Sequence, residues 1–346
     1  MESVKSWRSA IFFASILPFL VAQSTCDFSC GSPVTGRPKV RLAVGGVNQM
    51  VYLPTTLAQE LGFYKEEGLD VELQDHAGGA KSLQALIGGS ADVVSGFYDH
   101  TIQMAAEGRE LVAFVTMLRF PGLVLVTSPQ ASAAVTSVEN LKGKIVGVTT
   151  AGSSSQMLVT YLLQRHQVPV DSVSITAIGS AATAVAAVER GKVDAGMVAD
   201  PAFTLITKRN PSVRVLADFR TAEGVKDAVG ATAYPASVLY APRDWIDAHR
   251  DTAQRLARAM TRTLHWMHAH TPDEIANRAP KAFRGEDDAL YVEAIKNSMP
   301  MFSPDGVMDA DGAQAVRTLL AGSMEKVRQA HFDLSETYTN DFIDRR

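Results

Sequence analysis

Four stretches carry the residue types that could do chemistry. "DHAGGAKS" (75–82) sets Gly78 and Gly79 before Lys81 and Ser82, like a phosphate cradle. A P-loop needs G-x-x-x-x-G-K-[ST], but Asp75 and Ala80 stand where its glycines belong, so the nucleotide reading fails. What survives is a turn whose glycines free backbone N–H groups at a helix start, a geometry that suits an anion or polar acceptor. "TTAGSSSQ" repeats the arrangement with Gly152, Ser153 and Ser154, and "SGFYDH" brings Phe97, Tyr98 and Asp99 to a strand end. "VADPA" does the same with Asp200. Arg119 in "MLRFPG" could clamp an anion. Tyr52, Phe97, Tyr98, Phe120 and Tyr234 could wall a cleft for a flat ligand.

Catalytic arrangements are thin. "AGSSSQ" lacks the second glycine of a nucleophile elbow. Asp99-His100 could pair as acid and base, yet no nucleophile is matched to them by spacing. His265 and His268 share a helical face without the further ligands that zinc needs. No catalytic residue, metal ligand or cofactor site is expected.

The elements that position these residues alternate. "KVRLAV", "LDVEL", "ADVVSG" and "ELVAFVTML" read as strands, with helices in "PTTLAQELGFY" and "AKSLQALIGG". A second series runs through "GKIVGVTT", a helix in 153–166, "VSITAI", the helix "SAATAVAAVERG" and "VDAGMVAD". Such alternation predicts mostly parallel sheets with helices on both faces. Both series carry Gly-x-x-Asp, at Gly89/Asp92 and Gly191/Asp194, and Val44 and Val146 each precede the aspartate by 48 residues. The repeat predicts two similar lobes whose strand ends face one another across a cleft. From 237 the pattern becomes the strand "SVLYAP", one long helix over 247–270 with Ala253, Leu256, Ala257, Met260, Leu264 and Met267 on one face, and further helices near 286–299 and 309–329.

The chain has 346 residues, 46% hydrophobic, with a net charge of −4 and no basic run. Two domains are expected, and no nucleic-acid partner. "MESVKSWR" followed by the uncharged "SAIFFASILPFLVA" is the pattern of an export signal over residues 1–25. Cys26 and Cys30 follow, and no other cysteine occurs. Lipidation at Cys26 and a disulfide between the two both stay open. The expected location is periplasmic or otherwise extracytoplasmic.

"LAQELGFYKEEGLDVELQDHAGGAKSLQALIGGSADVVSGFYDH" resembles the SsuA/THI5-like (NMT1, nitrate/sulfonate/taurine) substrate-binding proteins of ABC importers. "SVENLKGKIVGVTTAGSSS", "AAVERGKVDAGMVADPA" and "YPASVLYAPRDWI" fit the same pattern in order. The resemblance implies an α/β, type II periplasmic-binding-protein fold, with 38–122 plus 236–346 as one lobe and 123–235 as the other. Two hinge crossings join them, near 121–128 and 234–242, and a ligand closes the cleft. It implies ligand contacts from Tyr52, Gly78, Gly79, Lys81, Ser82, Phe97, Tyr98, Asp99, Arg119, Phe120, Gly152, Ser153, Ser154, Asp200 and Tyr234. It implies a monomeric receptor rather than an enzyme, handing a sulfonate, taurine, nitrate or thiamine-pyrimidine-like solute to a permease and its ATPase. The rival is a pyrimidine-precursor synthase on the same scaffold, whose cysteine-rich motif is missing here.

Overall fold

Ten strands fall into two sheets in the computed structural model, which describes residues 36–285 and 287–344. The export segment and both cysteines lie outside the described residues. Arg37–Arg346 forms one compact unit, and both sheets belong to it. The first sheet takes β1 (Lys39–Val44), β2 (Asp70–Asp75), β3 (Val93–Phe97), β4 (Leu111–Thr116) and β10 (Ser237–Pro242). The second takes β5 (Leu123–Thr127), β6 (Ile145–Val148), β7 (Ser174–Ala177), β8 (Ala195–Ala199) and β9 (Val215–Asp218).

The strand orders are β2-β1-β3-β10-β4 and β7-β6-β8-β5-β9. They are the same order twice: second, first, third, an inserted strand, fourth. Each inserted strand, β10 or β5, runs antiparallel to both neighbours, and the other pairings that can be compared are parallel. β5 and β8 are buried along their whole length. Central strands covered on both faces need such unbroken apolar runs. The chain is therefore a two-lobed α/β protein built on two mixed sheets.

The Gly-x-x-Asp repeat has a structural cause. Asp92 accepts a hydrogen bond from the Arg41 backbone N–H at 2.8 Å, and Asp194 accepts one from Ile145 N–H at 2.8 Å. In return, Asp92 N–H donates to Arg41 O and Asp194 N–H to Ile145 O. Each aspartate ties the start of the third strand to the first strand of its sheet. The equal 48-residue spacing is not the structural equivalence. The paired residues lie 51 apart in the first lobe and 49 apart in the second. The first lobe holds two extra residues between them.

These aspartates yield a stability prediction. Asp194→Ala removes a hydrogen bond to a solvent-accessible strand N–H and should cost about 0.5–1.5 kcal/mol. Asp92→Ala also removes the Arg41 guanidinium contact. Partial burial pushes the Asp92 carboxyl up, but the Arg41 side chain, backbone N–H and charge together hold it below its ordinary value. A depressed carboxyl gives stability that is present above its unfolded value and lost as pH falls through the folded one. Urea denaturation should therefore show the gap between wild type and Asp92→Ala shrinking from about pH 7 to about pH 3. A pH-independent gap would mean that the ion pair contributes nothing.

Two expectations about helices need correction. The run 247–270 is not one helix but two, Arg243–Ala248 and Arg250–Ala269. His249 leaves the helical region at φ −124°, ψ 36°, and its Nδ1 lies 2.9 Å from Trp245 O. The apolar face is as read: Ala253, Leu256, Ala257, Met260, Leu264 and Met267 are all buried. Asp99–Ala105, Ala202–Arg209 and Ala222–Val229 are helices that the pattern does not announce. They span only two turns or so, too little for periodicity to declare itself.

Candidate functional site

The loops leaving the carboxyl ends of β1, β2 and β3 meet those leaving β6 and β8. That is where α/β sheets gather ligand groups. Contacts close the two lobes on one another there. Met50 N–H donates to Asp200 O at 2.8 Å, and Ser154 Oγ donates to Asp99 Oδ1 at 2.8 Å. A small cavity of ≈ 20 Å³, counted as the space open to the centre of a water molecule, remains between them. Gly45, Gln49, Val51, Tyr52, Gly79 and Phe97 line it from the first sheet's side, and Leu123, Thr149 and Ser153–Ser155 from the second's.

The second lobe supplies hydroxyls. Thr149, Ser153 and Ser155 form a ring, with Oγ–Oγ distances of 2.9, 3.0 and 2.7 Å. Ser155 Oγ also accepts from Thr149 N–H at 2.9 Å, which pins the ring to the end of β6. Each hydroxyl both donates and accepts, so the ring is satisfied without a ligand and can rotate its protons to meet one. The helix Ser154–Arg165 begins on these serines.

The first lobe supplies a buried polar layer behind the wall. Asp99 and His100 open the helix Asp99–Ala105 and are 1% and 0% exposed. Asp99 Oδ2 and His100 Nε2 have no hydrogen-bond partner among the described residues. Burial pushes the Asp99 carboxyl up, against the opposing pull of His100 and of the Ser154 hydrogen bond. The phenols of Tyr52, Tyr234 and Tyr240 are likewise pushed up, first by burial and then by the charge of Asp99 or of neighbouring tyrosines. Tyr240 Oη sits 3.4 Å from His100 Nδ1, and Tyr234 Oη has no partner among the described residues. Tyr52 packs edge-on against Phe97, with centroids 6.3 Å apart.

The sequence-expected residues divide. Tyr52, Gly79, Phe97, Ser153 and Ser154 line the cavity. Asp99 stands directly behind Ser154, and Ser82 and Tyr234 are buried with unpartnered hydroxyls. Gly78 faces Thr150 of the opposite lobe, where an added Cβ would lie 2.8 Å from its Oγ1. Gly152 sits across from Ala80. The others point elsewhere. Lys81 is exposed and donates to Gln84 on its own helix. Arg119 is exposed, donates to Pro300 O at 3.0 Å and lies over the Phe120 ring. Tyr98 Oη bonds Thr337 and its ring packs on Tyr338, away from the cavity.

The Asp200 carboxylate is already fully engaged. Its Oδ1 accepts from Thr204 N–H at 3.0 Å and Thr204 Oγ1 at 2.6 Å, and its Oδ2 accepts from Arg220 Nη1 at 3.1 Å. It holds its own lobe together, and across the lobes its backbone carbonyl accepts from Met50 N–H at 2.8 Å while its Oδ2 meets Ser298 Oγ at 3.5 Å. Gly45, Thr149 and His100 were not singled out as ligand residues. The first two lie one and two residues before the loops Gly46–Tyr52 and Ala151–Ser155 that the resemblance marks, and His100 stood only as half of an acid–base pair.

Comparison with known proteins gives one family match and three similar solved structures. Residues 49–275 match the model of the family described as NMT1/THI5 like. A solved structure of a protein from Bordetella bronchiseptica RB50 is 38% identical, with a TM-score of 0.84, over 88% of this chain and 95% of that one. The alkanesulfonate-binding protein SsuA from Xanthomonas axonopodis pv. citri, solved bound to MOPS, is 17% identical with a TM-score of 0.66 over 86% and 96%. The periplasmic nitrate-binding protein NrtA from Synechocystis PCC 6803 is 15% identical with a TM-score of 0.65 over 88% and 86%.

Proposed function

Because the chain belongs to the NMT1/THI5-like family, we propose that it is an extracytoplasmic solute-binding protein of an ABC importer. It captures a small organic solute, an anion or a heteroaromatic base, between its lobes and delivers it to a permease. The observation that carries this reading is the seam between the lobes, where a cavity with room for about one water marks the cleft in its closed form. It is walled by both lobes and bridged by Ser154–Asp99 and Met50–Asp200 contacts. A solute held there touches both sides, so its contacts are complete only in the closed form, and binding drives closure. No bond is made or broken in this cycle.

The hinge runs through the two passages between sheets, from β4 to β5 and from β9 to β10. Residues 38–122 with 236–346 then move as one lobe and 123–235 as the other. An export signal over 1–25 would place the mature chain where a permease can receive it. No described helix is long and apolar enough to cross a membrane. A protein working as a monomeric carrier needs none.

Thermal-shift screening against sulfonates, nitrate, thiamine-type pyrimidines and aromatic acids and bases tests the reading. One solute class should stabilise the protein, by about 2.7 kcal/mol at a hundredfold excess over Kd. Small-angle scattering should show compaction with the same class. Turnover of any of these by the purified protein, or stabilisation without compaction, would contradict it.

A further inference from the structure

The two cations that the sequence offers to an anion, and the arginine beside Asp200, are turned away from the cavity. Lys81 is spent on Gln84, Arg119 on Pro300, and Arg220 on Asp200 and Asp218. Among the described residues, the cavity lining contains no lysine or arginine. Behind it lies the opposite chemistry: a buried carboxyl with one oxygen unpartnered, among phenols and one imidazole. An unpaired buried polar oxygen is costly and calls for a donor.

The closure contact says how a solute would reach it. Ser154, the sole side-chain donor to Asp99 among the described residues, belongs to the opposite lobe. Opening the lobes withdraws Ser154 and bares Asp99 to the cleft. A solute that arrives first on Asp99 then meets Ser154 and the hydroxyl ring when the lobes close. His100 flanks the same spot, since its Cε1 would lie 3.2 Å from a Cβ placed on Gly79.

We propose that the cleft selects a solute presenting the adjacent N–H donors of an amidinium to Asp99, and rejects carboxylates, sulfonates and nitrate of like shape. This rests on the receptor reading above. The two oxygens of one carboxylate accept paired N–H donors in a fork geometry that an anion cannot supply. The remaining titratable groups facing Asp99 are His100, Tyr52, Tyr234 and Tyr240, and the tyrosines stay neutral. An amidinium pairs with the carboxylate and not with the acid, so affinity falls as pH drops through the Asp99 titration.

Isosteric pairs provide the test: acetamidinium against acetate, and benzamidinium against benzoate, by calorimetry on the full chain. The cation of each pair should bind at least about tenfold tighter, and Asp99→Asn should weaken it about 10–100-fold. Asparagine keeps the shape and cannot ionise, so the variant folds; Ser154→Ala, which leaves the acceptor in place, should weaken the same cation less. Wild-type affinity for the cation should fall as the solution is acidified and the carboxylate takes up its proton, and Asp99→Asn should lose that dependence. Tighter binding of the anions, unchanged binding in Asp99→Asn, or silence of all four probes overturns the proposal. Compaction with an anion and none with the amidines would overturn it while leaving the receptor reading intact. No compaction with any solute of the wider screen would remove both.

Discussion

Arg220→Met should lower the unfolding free energy by about 3–5 kcal/mol, the cost of leaving one member of a buried ion pair alone. Asp200 is 1% exposed, and Arg220 reaches it at 3.1 Å while holding Asp218 at 2.6 Å. Methionine keeps the apolar packing that the guanidinium makes over Phe203, 4.4 Å from the ring centroid. The loss is then electrostatic, because the Asp200 carboxylate keeps only Thr204 and a long contact from Ser298 at 3.5 Å. Adding Asp200→Asn removes the stranded charge and should restore about half of the loss or more. Urea midpoints of the four proteins in the cycle measure this. If the double variant is no more stable than Arg220→Met alone, Asp200 is not the group that Arg220 serves.

The same residue shows what could be read in the sequence and what could not. The strands "KVRLAV" and "SVLYAP" were legible to the residue, since an apolar run bounded by turns leaves few alternatives. The two-lobe repeat was legible through Gly-x-x-Asp, although that aspartate serves strand pairing rather than a ligand. Asp99 and Asp200 looked alike, each an aspartate just past an apolar strand. Their difference lies in a partner 20 residues away from Asp200. Arg220 stands in no motif, so nothing local announced that Asp200 was already taken. Tyr98 and Asp99 are neighbours pointing to opposite sides, one to the C-terminal segment and one to the cleft. Their directions follow from where the helix Asp99–Ala105 begins, and that two-turn helix gave no periodic signal. Lys81 and Arg119 were read as anion-binding by type, but reach and competing partners decide, and both are set by packing.

Gly45→Ala should weaken solute binding about 5–150-fold while leaving the lobes folded, and the reason lies in "DHAGGAKS". A Cβ on Gly45 would lie 2.6 Å from Gly79 N and 2.8 Å from Gly78 C. Those are backbone atoms, so no rotamer change relieves the overlap and the 78–79 turn must move. In the closed form it has nowhere to go. Thr150 of the second lobe lies against Gly78, and His100 and Tyr52 lie against Gly79. With the lobes apart, the turn can retreat into the cleft. An overpacking cost of about 1–3 kcal/mol therefore falls mainly on the closed, solute-bound state, which converts to the stated loss of affinity. Gly89→Ala is the contrasting variant. Its φ of +74° makes alanine costly by about 1–2 kcal/mol, but nothing lies within 4 Å and the cleft is untouched. Calorimetry with scattering should find Gly45→Ala weak in binding and reluctant to compact, and Gly89→Ala less stable with affinity unchanged. Equal affinity loss in both would tie the effect to general destabilisation. The expected split would instead mean that the glycines of this turn are there first for the close approach of β1 and the second lobe, with any hydrogen bond to the solute made on top of that packing.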